Sequence, residues 1–509
     1  MFIIEKSHDN MLKRHSLLFL FLPRGVSAHG GELDTGSEFG PLSGAFVLAG
    51  LVIFVGIVVS AIWLIRRKRV EQENPKTYMD KLNMFSRNAR LYILHIQGMS
   101  LTYGVRTILY NIYLLFVFRE GVHLFGWDLD PVYFIGLLLA GGSLVTGLMA
   151  PFNGIIVDWL GKKWSFIMGD FIGSITILMV VLIQDPVFVT SMQILRSAVM
   201  SIHGIAEGPF IYEQSTAKER VHLFSVASGF STLASMAGNL AGGVVPLAIS
   251  VFLYGTPIIE GTASIMVLQV GLFVSVLLWW LSLVPAFPMK EDPELKARGR
   301  SHTVKARLSF SNVSNWGTIL VFTLNSIFIG TGAGLFVSYF SLFFLLKYSA
   351  DTASMSMIFA IGSLSVAIGN FLTPILAERL GKVNYLVSTR YLSIVFILLL
   401  PMSPLLLVAG IFYVLRIALM AGSFPTESAL AMETVNDAER TTMEALRMGG
   451  SSVFSAIGFL AGGYFMAVRD FITPFVIAGG LYFVATTIFW FYFRNGTSIE
   501  SHQSPVVGQ

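Results

Sequence analysis

Apolar residues arrive in this chain in long blocks separated by short polar breaks. From residue 91 onward twelve runs follow one another, at about 91–118, 132–157, 164–184, 187–211, 223–254, 263–286, 315–346, 353–377, 384–401, 403–428, 444–468 and 473–494. Each is long enough to cross a hydrocarbon layer as a helix, which takes about 20 residues. A further run at 43–65 precedes them, closed by the basic cluster Arg66 to Arg69. The polar breaks alternate in charge. The connector 287–314 carries Lys290, Lys296, Arg298, Arg300, Lys305 and Arg307, whereas the breaks around Trp127, Asp185 and Gly255 are neutral to acidic. Positive charge stays on the cytoplasmic side, so this alternation predicts that 66–90, 287–314 and the tail 495–509 are cytoplasmic and that the segment 29–42 lies outside. The expected architecture is an all-α integral membrane protein of the cell membrane.

Before the first span, residues 1–28 have a basic flank, a short apolar core ending near Leu22, and Val26 and Ala28 at the small-residue positions of a cleavage site. They read as a signal peptide whose removal leaves His29 first. Composition agrees with a membrane protein: 54% of residues are hydrophobic and 13% charged, about half the charged share of a soluble domain. The chain has no cysteine, which excludes disulfides, thiolate metal sites and cysteine nucleophiles. The net charge of +4 resides in short loops, where it sets orientation, and gives no sign of nucleic-acid binding. There is no phosphate-binding loop, paired-histidine motif or nucleophile elbow, so neither a cofactor nor a resident metal is expected.

The second run closes on GIIVDWLGKK, Gly154 to Lys163, and a step of 220 residues leads to PILAERLGKV, in which Pro374, Glu378, Gly381 and Lys382 stand for Gly154, Asp158, Gly161 and Lys162. The same step pairs Arg196 with Arg416, Met200 with Met420, Glu207 with Glu427, Glu213 with Glu433, and Glu219 and Arg220 with Glu439 and Arg440. For the first run the step is 230, aligning Tyr103 with Ala333, and the extra ten residues fall in the break around Trp127.

This duplicated turn resembles the signature of the major facilitator superfamily, and the resemblance extends over roughly 88–495. It implies two pseudo-symmetric six-helix bundles, 91–286 and 315–494, plus one extra N-terminal transmembrane helix. It also implies a secondary active transporter that binds its solute between the bundles near mid-membrane and exposes it alternately. The turn residues Gly154, Asp158, Gly161, Lys162, Lys163, Glu378, Gly381 and Lys382 would then form the gate, with Asp158 reaching the start of the eleventh helix near Arg447 when the cytoplasmic mouth shuts.

Charge inside a span costs ~2.5–3.5 kcal/mol at the helix centre even on lenient scales, so each such residue needs a reason. Arg196, Met200, His203 and Glu207 share one face of the fourth run, and Arg416, Met420, Ser423 and Glu427 repeat it on the tenth. Both stripes are expected to line the central cavity. Tyr103, Arg106, Tyr110 and Tyr113 share a face of the first run and would suit an anionic or aromatic solute. Asp170 and Arg390 occupy matching positions and are expected to make structural ion pairs. Gly229, Gly238, Gly242 and Gly243 on the fifth run match Gly449, Gly458, Gly462 and Gly463 on the eleventh, a duplication that points to close helix packing. The functional expectation is proton-coupled transport of a small solute by a monomer in the lipid bilayer, with efflux ahead of uptake and sodium the alternative ion. A receptor that does not transport, or a membrane-embedded enzyme, are the alternatives of another class.

Overall fold

The computed structural model describes Val70 and residues 78–216, 220–254, 261–291, 315–435 and 437–494. The expected signal peptide, external tail, thirteenth span and C-terminal tail, and most of the connector 287–314, lie outside the described residues.

A short helix α1 (Tyr78–Met84) leads into α2 (Arg87–Val117), and the chain continues through α3 (Pro131–Leu160), α4 (Lys162–Leu182), α5 (Pro186–Glu213), α6 (Arg220–Tyr254) and α7 (Gly261–Leu283). After the connector come α8 (Trp316–Phe336), α9 (Phe340–Tyr348), α10 (Thr352–Leu380), α11 (Lys382–Met402), α12 (Leu406–Glu433), α13 (Asp437–Ala467) and α14 (Thr473–Phe493). Every one of the twelve apolar runs is therefore helical. Carboxylate caps start the matching helices α3 and α10: Asp130 accepts from Val132 N at 2.8 Å and Asp351 from Ser354 N at 2.6 Å. Among the described residues nine helical segments are long and apolar enough to cross a membrane. The three long helices outside that set, α2, α5 and α12, are those that carry Arg106, Arg196 and Arg416.

Two details depart from the reading of the runs. The seventh is not continuous: a 3₁₀ turn at Val337–Tyr339 separates α8 from α9. The break around Trp127 is an antiparallel hairpin, β1 (Val122–Leu124) with β2 (Trp127–Leu129), pairing His123 with Asp128. Phe125 and Gly126 both have positive φ, 51° and 85°, which matches the twist of a two-residue hairpin turn.

The packing has two-fold regularity. In the first half α2 packs on α6 and α7, α5 on α3 and α4, and α4 on α7; in the second α8 packs on α13 and α14, α12 on α10 and α11, and α11 on α14. The α2–α6 and α8–α13 crossings are glycine-on-glycine. A Cβ on Gly238 would lie 2.0 Å from the carbonyl oxygen of Leu101, and one on Gly458 would lie 2.1 Å from that of Thr331. Only hydrogen fits at such backbone approaches, which in a membrane are a main source of helix affinity.

Candidate functional site

The halves meet along α3–α13 and α6–α10, but over only part of their length. On α3, Gly136 abuts Gly463, Ser143 Oγ donates to the Ser452 carbonyl at 2.8 Å, and Gly147 touches Val453. On α6, Asn239 Nδ2 donates to Ser363 Oγ at 3.0 Å and Gly243 packs on Ser356. Asn111 Nδ2 crosses from α2 to the Ser338 carbonyl at 2.9 Å, an acceptor presented by the 3₁₀ turn that interrupts the seventh run. Beyond Gly147 and Ser452, toward the Gly161 and Gly381 turns, the flanking surfaces open: Phe152 and Met448 are each 57% exposed, and Gly449 has space around it. The seam is shut at the hairpin end and parted at the other.

In the first half, Asp170 on α4 sits between two histidines. His203 Nδ1 on α5 lies 3.0 Å from Asp170 Oδ1, and His95 Nε2 on α2 lies 3.2 Å from Asp170 Oδ2. His95 Nδ1 is 2.8 Å from the carbonyl oxygen of Ser282. His95 and Asp170 have no exposed surface and His203 has 3%. The His95–Asp170 approach is within ion-pair distance, although neither atom meets the directional criteria of a hydrogen bond.

The second half holds a different arrangement at the matching positions. Arg390 on α11 stands where Asp170 does, Ser423 on α12 where His203 does, and Asn325 on α8 where His95 does. Arg390 Nη2 pairs with Glu427 Oε2, Nη1 donates to Asn325 Oδ1 at 3.0 Å, and Nε donates to Ser423 Oγ at 3.3 Å. Asn325 Nδ2 and Arg447 Nη2 both donate to Glu427 Oε1, at 2.8 and 3.2 Å. Arg390 is therefore ion-paired inside its own half, and Asp170 is held between two histidines inside the other. His203, Ser423 and Glu427 turn toward α4 and α11 and do not line the cavity as their stripes suggested. The sequence reading missed His95 and Asn325, although the 230-residue step relates them.

Three further arginines stand on α2, α5 and α12. Arg106 stacks 3.6 Å over Trp279 and is buried; Arg196, half-buried, donates to Gln193 Oε1 at 2.6 Å and lies over Tyr110; Arg416, buried, lies over Phe336 and donates to Tyr482 OH at 3.3 Å. Among the described residues no carboxylate pairs with any of the three. Tyr103, one turn from Arg106, is 61% exposed, and Glu207 is half-buried.

At the parted end the two signature turns have the same backbone. Gly161 and Gly381 have φ of 88° and 81°, where a side chain would be strained. Lys162 pairs with Glu213, and Lys163 N donates to Glu291 Oε1 at 2.8 Å, tying the first turn to the end of α5 and to the segment after α7. The side chains of Asp158 and Glu378 lie outside the described residues, and Arg447 is engaged with Glu427.

The family model described as the Major Facilitator Superfamily matches residues 98–421. Among solved structures, a mutant of the nucleoside transporter NupG superposes with a TM-score of 0.61 at 18% identity, covering 80% of this chain and 100% of that one. A D-xylose-proton symporter gives 0.59 at 14% identity, covering 79% and 97%. A bacterial homolog of the human lysosomal transporter Spinster, inward-facing and occupied, gives 0.56 at 12%, covering 83% and 98%. At these identities the likeness is one of fold. No curated protein matches the sequence.

Proposed function

The chain belongs to the major facilitator superfamily, and on that footing we propose that it is a proton-coupled secondary transporter that moves a small organic anion outward by alternating access. The observations that carry this reading are the seam, shut along one part of its length and parted along the other, and Arg106, Arg196 and Arg416 on helices α2, α5 and α12, none of which makes a direct ion pair with a carboxylate among the described residues. A cation held away from water without a counter-charge is costly, and an anionic cargo would relieve that cost. Guanidinium groups bind carboxylate or phosphate through parallel hydrogen bonds, and the exposed Tyr103 offers ring surface to the organic part. Taking the basic loops as cytoplasmic, the parted end faces the cytoplasm and the cleft loads from inside. In this reading Asp158 latches to the start of α13 when that mouth shuts. A second reading, proton-coupled uptake, is favoured by the likeness to a D-xylose-proton symporter.

A thermal-shift screen of the purified protein against organic carboxylates, phosphates, sugars and nucleosides, at about pH 6 and about pH 8 on either side of the histidine range, tests the cargo. Anions should stabilise the wild type. In Arg196→Ala, which should insert normally, the shift should fall and coupled transport should be lost. A charge-assisted hydrogen bond contributes about 1.5–3 kcal/mol, so affinity should drop by roughly one to two orders of magnitude. Wild-type transport by Arg196→Ala, or stabilisation by neutral sugars alone, would refute the anion reading.

A further inference from the structure

We infer that the His95–Asp170–His203 triad holds one proton, carried as the His95 imidazolium, and that this proton is the coupling proton of the transporter proposed above. The argument starts from donors and acceptors. A backbone carbonyl only accepts, so His95 Nδ1, 2.8 Å from the Ser282 carbonyl oxygen, carries a hydrogen. That would leave Nε2 of a neutral ring as a lone pair, yet it lies 3.2 Å from Asp170 Oδ2. Two acceptors at that distance repel, and a second proton on His95 turns the contact into an attraction. His203 meets the other oxygen as a donor, Nδ1 to Asp170 Oδ1 at 3.0 Å, and keeps Nε2 without a partner, so it needs no extra proton. The triad with one added proton is neutral. Without it, a carboxylate at a position with no exposed surface keeps one neutral donor, His203, and only the more distant Arg106 as a positive charge.

The ionisable groups on the packed elements fit this assignment. On α2 they are Arg90, Tyr92, in ring contact with His95, and Arg106, three turns along; on α4, Asp170, with Lys162 and Lys163 two turns back at its start; on α5, Arg196, His203 and Glu207; α7 contributes the Ser282 carbonyl. The matching site in the second half has exchanged every group that titrates near neutrality: Asn325 for His95, Arg390 for Asp170 and Ser423 for His203. The matching site therefore holds no imidazole, and a proton carried on one would change the charge of only one of the two bodies that rock.

The test uses the intact protein in nanodiscs with ¹⁵N-labelled histidine. Its imidazole nitrogens are read at about pH 8, well above the ordinary imidazole value of ~6.5, and assigned by loss in His95→Gln and His203→Gln. One doubly protonated ring, that of His95, is expected to persist. Asp170→Asn fits the same space with its amide donating to His95 and its oxygen accepting from His203, and it should abolish that imidazolium signal while the protein stays folded. Two neutral rings in the wild type, an imidazolium that survives Asp170→Asn, or a tightly bound divalent metal in the purified protein would each overturn the assignment. In the same samples, spin-label distances across the parted mouth should respond to pH in the wild type and lose that response in Asp170→Asn. If the distances never move while the imidazolium is present, the proton site stands and the transporter reading fails.

Discussion

Arg390→Ala should destabilise the protein by about 3–5 kcal/mol, the cost of removing one partner of a buried ion pair. Arg390 is 1% exposed and makes three contacts, with Glu427, Asn325 and Ser423, and its loss leaves Glu427 with Arg447 and Asn325 as its remaining partners. The penalty is that of the three lost donors and of Asn325 and Ser423 left without theirs, since Glu427 keeps Arg447 as its counter-charge. Adding Glu427→Gln to Arg390→Ala should therefore lower stability further, because it takes from buried Arg447 its carboxylate partner. Thermal unfolding in detergent, followed on the single and double variants, checks this. A single variant within about 0.5 kcal/mol of wild type, the range of an ordinary surface substitution, would mean that the network does not hold the second half together.

The second large effect is steric. Gly238→Val should prevent α2 and α6 from seating, because the first added carbon already falls 2.0 Å from a backbone oxygen of Leu101 and no flexible side chain is there to yield. Overpacking usually costs about 1–3 kcal/mol, and here relief requires a helix to move. The expected result is loss of the monodisperse peak in size-exclusion chromatography, with Gly458→Val doing the same to α8 and α13. Gly480→Ala is the control: nothing lies within 4 Å of the added carbon, and the variant should elute as wild type.

Much of this arrangement is legible in one dimension. Run length predicts the twelve helices, and the 220-residue step predicts both signature turns, whose glycines share a positive φ. Helical periodicity puts Arg196, His203 and Glu207 on one face. It carries no information about which neighbour that face meets, and so His203 and Glu427 were expected at the central cavity when they turn instead toward α4 and α11. Their partners His95 and Asn325 are single polar residues inside apolar runs, on helices far away in sequence, and only the pairing of the halves brings them together. The 3₁₀ turn at Val337–Tyr339 was equally hidden: no proline or charge marks it, and the Ser338 carbonyl it presents to Asn111 exists only in the folded protein. Phe125-Gly126 is likewise a weak turn signal beside Asn-Gly or Asp-Gly.

Alternating access is the central claim, and distances at the two ends of the seam test it most directly. The chain has no native cysteine, so spin labels can be placed without background: Trp159 and Met448 report on the parted end, Trp127 and Val468 on the shut end, and all four are exposed. Double electron–electron resonance in nanodiscs, across pH and with a stabilising anion, should show two populations at each end that exchange reciprocally, one mouth closing as the other opens. Asp158→Asn should shift the balance toward the state parted at Trp159 and Met448, by about tenfold for a latch of about 1.4 kcal/mol. Distances that stay fixed at both ends, or that lengthen and shorten together, would contradict the account.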